Sequence, residues 1–330
     1  MSEVYNRWNR PLTLPAAIPV PPVPAAPLEE LAHRAAGYAS RTVTDSTIKA
    51  YEKDWLDFAG WCDRHHLAAL PASPATVGVY LTSLADRLAV ATLTRRLAAI
   101  STKHRLAGHQ IDTKAPQIHD LMRGIRREHG TAQRRVAPAT TSVMQAMVAT
   151  CDDSMIGRRD RALLSVGFAA ALRRSELVAL NVADFAFVSQ GMTVVVARSK
   201  TDQEQAGQSI GVVQTGTATC PVAALQSWLV AAKIEDGRVF RRINRHGQLG
   251  PALSDQSVAL IVKRRAAMTG RKASDFSGHS LRAGLATAAA SFGVEERVIM
   301  RQTRHVGVTV RRYIRDGELF LQNASGRVGL

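Results

Sequence analysis

Apolar residues in the first third of the chain recur at three- and four-residue intervals, the spacing that lines one face of a helix. Ile48, Tyr51, Trp55, Phe58 and Cys62 form one such series behind the capping candidates Asp45 and Ser46. A second opens at Ser73-Pro74, a proline suited to a first helical turn, with Val77, Tyr80, Leu81, Leu84 and Leu88 on one side. A third uses Leu93, Leu97 and Ile100 and stops near Gly108. A fourth starts by Pro116, uses Ile118, Leu121, Met122 and Ile125, and stops near Gly130. Residues 41–130 therefore read as a small bundle of amphipathic helices. Ahead of them, residues 11–27 hold seven of the 13 prolines. Such a run sustains neither helix nor ladder, so residues 1–40 are expected to form a disordered tail, to which no function is assigned.

Residues 131–138, with Arg134, Arg135 and Pro138, read as an exposed linker, and a second domain is expected over 139–330. Its pattern is mixed. Ser142 to Thr150 is helical, and Arg161 to Leu172 reads as a buried helix because it is almost continuously apolar. Phe185 to Phe187, Met192 to Ala197 and Ser209 to Val213 read as strands of a small antiparallel sheet, with Thr193 to Val196 the strongest β signal. Pro221 opens a helix with Val222, Leu225, Trp228 and Leu229 inside, and Ser254 to Met268 is another. The fold class is mainly α with some β (α+β).

Charge changes this picture. Lys and Arg number 43 against 27 Asp and Glu, a net of +16 that points to a polyanionic partner. Only eight of the cations are Lys; Arg has the planar fork that suits phosphate oxygens. Arg95, Arg96, Lys103 and Arg105 on the third helix and Arg123, Arg126 and Arg127 on the fourth give the bundle basic outer faces. Arg134, Arg135, Arg241, Arg242, Lys263 and Arg264 extend the candidate DNA surface. Cys62, Cys151 and Cys220 are too far apart in sequence for a disulfide framework or a zinc site, which fits a reducing compartment. No apolar run reaches membrane-spanning length and no signal peptide opens the chain, so a soluble intracellular protein is expected. GxGxxG and GxxxxGK[ST] are both absent, which argues against nucleotide hydrolysis.

The candidate chemistry lies in the last fifty residues. In Ser277-Gly278-His279-Ser280-Leu281-Arg282-Ala283-Gly284 the His and Arg stand on one helical face, and both can reach one anion. Gly278 and Gly293 bracket that helix. Downstream, Arg311-Arg312-Tyr313-Ile314-Arg315 sets a phenol among cations. Of the five tyrosines only Tyr313 lies in the C-terminal two-thirds. A phenol attacks phosphorus at neutral pH only where a base takes its proton and cations hold the phosphate. Upstream, Arg173 stands where one helix ends and the next begins, with Glu176 a turn on to fix its posture. Lys200 falls between the last two strands, between the two Arg motifs, and is a candidate proton donor.

The ordered set Arg173, Lys200, His279, Arg282, His305 and Tyr313 resembles the tyrosine recombinase (phage integrase) family, and the two-domain layout looks like its Cre-like branch. Leu172-Arg173-Arg174-Ser175-Glu176-Leu177 and Gly278 to Gly284 carry the resemblance, which covers most of residues 41–320. It implies a helical DNA-clamp domain and a catalytic domain closing on double-stranded DNA target sites. It also implies a site-specific recombinase in which Arg173 and Arg282 grip the scissile phosphate and Tyr313 attacks to leave a 3′-phosphotyrosyl bond. Lys200 would protonate the departing 5′ oxygen, His279 would serve the tyrosine as acid and base, His305 would donate to a non-bridging oxygen, and Glu176 would orient its neighbours. Four protomers would assemble on DNA as a homotetramer and pass through a Holliday junction. No metal, ATP or other small-molecule cofactor is implied, and the location would be the bacterial cytoplasm, at the nucleoid. In the family pattern the third-site residue lies nine positions before the tyrosine; here His305 lies eight before it and Arg304 nine. Either of the two fills that role. Two other readings share the chemistry or the scaffold: a type IB topoisomerase-like enzyme and a non-catalytic DNA-binding protein on a decayed recombinase scaffold.

Overall fold

The computed structural model describes residues 44–131, 135–196, 207–304 and 309–317, together with Glu30 and Arg34. The rest of the Pro-rich tail, Arg134, Lys200 and His305 lie outside the described residues. The chain divides into two compact units, Met1–Gln133 and Arg134–Leu330.

The first unit contains α1 (Asp45–Arg64), α2 (Pro74–Thr82), α3 (Val90–Leu106) and α4 (Pro116–His129). Ser73 caps α2 by accepting from the Thr76 amide, and Pro74 occupies its first turn, as the pattern predicts. Phe58, Cys62, Tyr80, Leu81, Leu93, Ile100, Ile118 and Met122 pack together as its core. Two details differ from the sequence reading. Thr44, not Asp45 or Ser46, occupies the cap position of α1, and Ile48 in its first turn is exposed.

The bundle also absorbs part of its own positive charge. Arg95 donates through Nε and Nη2 to the buried Asp54 at 2.8 and 3.1 Å. Arg96 donates to Asp57 and to the Tyr80 hydroxyl, which itself donates to Asp57 at 2.7 Å. With a side chain only 12% exposed, Arg96 belongs to the bundle rather than to an outer basic face. A guanidinium taken so far out of water requires such partners.

In the second unit, α5 (Thr141–Ala149), α6 (Met155–Ala169) and α7 (Arg174–Ala179) lead into a short turn, Val182–Asp184. Strands β1 (Phe185–Val188), β2 (Gly191–Val196) and β3 (Gln208–Val213) form an antiparallel sheet in that order, with Phe185 opposite Val194 and Val194 opposite Ile210. Helix α8 (Pro221–Ala232) buries Trp228, whose indole donates to the Val239 carbonyl at 2.9 Å. A hairpin of β4 (Arg241–Ile243) and β5 (Leu249–Ala252) precedes α9 (Asp255–Met268), and α10 (His279–Ser291), α11 (Glu296–Thr303) and α12 (Thr309–Gly317) complete the described fold. Mainly helical with small antiparallel sheets, this is the class the pattern predicts. No described helix is long and apolar enough to cross a membrane.

Helix α6 starts at Met155, well before Arg161. Ser154 caps it by accepting from the Gly157 amide at 3.1 Å, and its charged first half turns inward. There the fully buried Asp160 accepts from Arg159, Arg264 and Arg265 at 2.5–3.0 Å, which locks α6 to α9. The helix stops at Ala169 because Ala171, with φ of +46°, turns the chain through the left-handed region.

Candidate active site

Three helix boundaries build the site. At the first, Arg173 caps α7, and the Glu176 carboxylate reaches back to accept from the Arg173 amide at 2.8 Å. The other Glu176 oxygen accepts from Arg173 Nη1 at 2.6 Å. A carboxylate one turn in thus satisfies an orphan amide and fixes the guanidinium together.

At the second boundary, Ser277 and Ser280 shape the entry to α10: the Ser277 amide donates to Ser280 Oγ at 3.0 Å and the His279 amide to Ser277 Oγ at 3.1 Å. His279 and Arg282 then share its first turn. Arg282 is only 1% exposed, and its Nη1 donates to the Ala171 carbonyl at 2.7 Å. Gly284 explains itself here, because a Cβ would run into the backbone of Ala139, whose amide donates to the Ser280 carbonyl.

The third boundary is α12. Val310 and Ile314 on one face pack with Ala286, Ala290 and Ile299, and Gly317 lets the two helices close, since a Cβ there would meet the Thr287 carbonyl. That packing turns the half-buried Tyr313 toward α10. Its hydroxyl lies 2.7 Å from Nε2 of His279.

Electrostatics follow from crowding. Burial, then the Arg282 and Arg173 charges, hold the His279 imidazole below its usual range, favouring the neutral form that accepts a proton. Burial raises the Tyr313 phenol, against the pull of Arg282, Arg312 and Arg135. Burial and repulsion from Arg173 and Arg304 bring Arg282 down to about 9. Arg304 is itself buried and pairs with Glu176 at 2.7 Å. Three guanidiniums thus face one carboxylate, a surplus of buried positive charge that an anion would offset.

Residues 139–318 match the model of the phage integrase family. The chain belongs to that family. An integrase/recombinase xerD homolog of Selenomonas ruminantium is 41% identical over 307 residues, 91% of this chain and 90% of the relative. Recombinase Cre of Escherichia phage P1 is 25% identical over 281 residues, covering 78% and 80%. The Tn1549 transposon integrase solved with transposon right end DNA shares the fold, with a TM-score of 0.59 at 12% identity over 87% of this chain and 92% of that one.

In this tyrosine recombinase, six of the residues singled out in the sequence come together: Arg173, Glu176, His279, Arg282, Arg304 and Tyr313. Lys200 and His305 fall outside the described residues. Among the candidate DNA contacts, Arg105, Arg123, Arg126, Arg127, Arg135 and Arg242 are exposed and Lys263 is half-buried. Lys103 lies over the Trp55 ring, Arg241 donates to the Gly250 carbonyl across its hairpin, and Arg264 pairs with Asp160. The Ala171 carbonyl, a further member of the cluster, carried no signal in the sequence.

Proposed function

We propose that this recombinase cuts and rejoins double-stranded DNA target sites through a 3′-phosphotyrosyl bond on Tyr313. The His279–Tyr313 contact beside a surplus of buried arginine charge carries this reading. Tyr313 Oη bonds to phosphorus while its proton passes to Nε2 of His279, and the bond from phosphorus to the 5′ oxygen breaks. Lys200 gives that oxygen its proton. Arg173 and Arg282 grip the non-bridging oxygens through charge-assisted hydrogen bonds that strengthen as charge builds in the transition state. His305 supplies one donor more. Bond energy is kept in the phosphotyrosine, so the reverse attack by a 5′-hydroxyl needs no nucleotide.

The first unit serves as the clamp on the duplex, its exposed Arg105, Arg123, Arg126 and Arg127 taking phosphates. The protein acts in the cytoplasm, where four protomers assemble on two sites and exchange strands in pairs through a Holliday junction. The test is a duplex from the DNA flanking the gene, nicked so that the short fragment carrying the new 5′-hydroxyl diffuses away. A covalent protein–DNA band on a denaturing gel is expected. Its absence on every flanking duplex would leave a DNA-binding protein on a recombinase scaffold.

A further inference from the structure

We propose that Arg304 is a positioning residue that couples the two phosphate-gripping arginines; the inference rests on the reading above. Arg304 ends α11 in the left-handed region, with φ of +54°, a conformation that suits glycine and disfavours any side chain with a Cβ. Helix termination alone therefore does not account for an arginine here. Its side chain is directed inward and is 4% exposed.

The partners of Arg304 define its role. Its Nη2 donates to Glu176 Oε2 at 2.7 Å and makes a long contact of 3.4 Å with the Ala171 carbonyl. These acceptors also hold the two grippers: Glu176 Oε1 accepts from Arg173 Nη1 at 2.6 Å, and the Ala171 carbonyl accepts from Arg282 Nη1 at 2.7 Å. Arg304 thus joins the Arg173 amide on the second carboxylate oxygen, so Glu176 is held from both sides and is kept from swinging when Arg173 takes up phosphate. It also sits between the acceptor of Arg173 and the acceptor of Arg282. A third cation beside two others is a poor choice for stability, and it is justified where an anion is to be gripped by a rigid pair. Of the two candidates for the third site, Arg304 is thereby assigned to holding the grippers, and the phosphate contact stays with His305.

Single-turnover cleavage of the nicked duplex by full-length protein tests this, with the wild type compared to Arg304→Gly, Arg304→Lys, Glu176→Gln and the glycine–glutamine double variant. Arg304→Gly removes the guanidinium while relieving the backbone. It is expected to bind DNA within about 3-fold of wild type yet to cleave on the order of 10²-fold slower, because small misplacement of reacting groups carries that cost. Combined with Glu176→Gln it should add less than about 3-fold, since the two act through one carboxylate. Arg304→Lys should recover at least tenfold of the loss. Arg304→Gln, which keeps an amide donor and the bulk, takes the place of glycine if that variant does not fold. Undiminished cleavage by the neutral variant, or losses that multiply with those of Glu176→Gln, would overturn the proposal. A wild type that forms no adduct overturns the recombination reading instead, so the two failures are distinct.

Discussion

Tyr313 Oη and His279 Nε2 stand 2.7 Å apart although 34 positions separate them in the chain. The contact is a product of helix packing: Gly317 against Thr287, and Val310 and Ile314 against the alanines of α10, set the rotation of α12. Tyr313→Phe leaves that packing in place and removes only the hydroxyl. DNA binding is expected to persist and the covalent adduct to vanish from the denaturing gel; an adduct that survives would move the nucleophile elsewhere.

The pH dependence has a definite sign. Burial, with Arg282 and Arg173, holds His279 below the ordinary imidazole value of about 6.5, so it is neutral, and able to accept the phenol proton, above that lowered value. Cleavage at limiting protein, which reports the free enzyme's groups, should hold constant from pH 8 down to about 6.5 and fall only below it. NMR titration of the imidazole in DNA-free protein should find the same midpoint, and Arg173→Gln should move it upward. A midpoint above 6.5 would show that the imidazole gains more from a partner than it loses to the arginines.

What the pattern of residues disclosed, and what it hid, divides along physical lines. Arg173 with Glu176, and His279 with Arg282, are local pairs: one helical turn brings each together, so spacing alone predicts them. Tyr313 was legible because it is alone in its half of the chain. Arg304 stands out in the sequence only as an alternative to His305, since an arginine in the polar run Arg301-Gln302-Thr303-Arg304 looks solvated, and only tertiary packing shows it buried against Glu176. Asp160 was hidden for the same reason, being flanked by Arg158, Arg159 and Arg161. The strands of the second hairpin, three and four residues long, are too short for an alternation to show.

Lys200 is separable from the phosphate-binding groups by its chemistry. If it protonates the 5′ oxygen, Lys200→Ala should cleave ordinary DNA poorly. A substrate with sulfur at the 5′ bridging position leaves readily without a proton, so cleavage should return to within about tenfold of wild type on the same substrate. Equal defects on both substrates would assign Lys200 to phosphate positioning.

Gly284 tests how tightly α10 must lie on the segment before α5. Adding a Cβ drives it into the Ala139 backbone, which, unlike the end of a flexible side chain, cannot give. Gly284→Ala should cost about 1–3 kcal/mol by thermal or denaturant unfolding, as overpacking of a filled site does. Gly211→Ala on β3, where a Cβ meets nothing within 4 Å, should stay within about 0.5 kcal/mol of wild type. Equal effects at the two positions would show that α10 shifts to accommodate the methyl group.

The short spacing between His305 and Tyr313 gives the last prediction. One residue inserted within a helix adds about 1.5 Å of rise and turns everything beyond it by roughly 100°, which would carry the phenol away from His279. Inserted between helices, the same residue need not turn either of them, because connections tolerate changes in length. Helix α11 ends at Thr303 and α12 begins at Thr309, so position 306 falls between the two. An alanine inserted after Val306 should therefore alter cleavage by less than about tenfold, whereas one inserted after Val310, inside α12, should abolish the adduct while leaving DNA binding intact. A large gain from the first insertion would mean that the missing residue limits the wild-type enzyme, and that His305 reaches the phosphate only at the longer spacing.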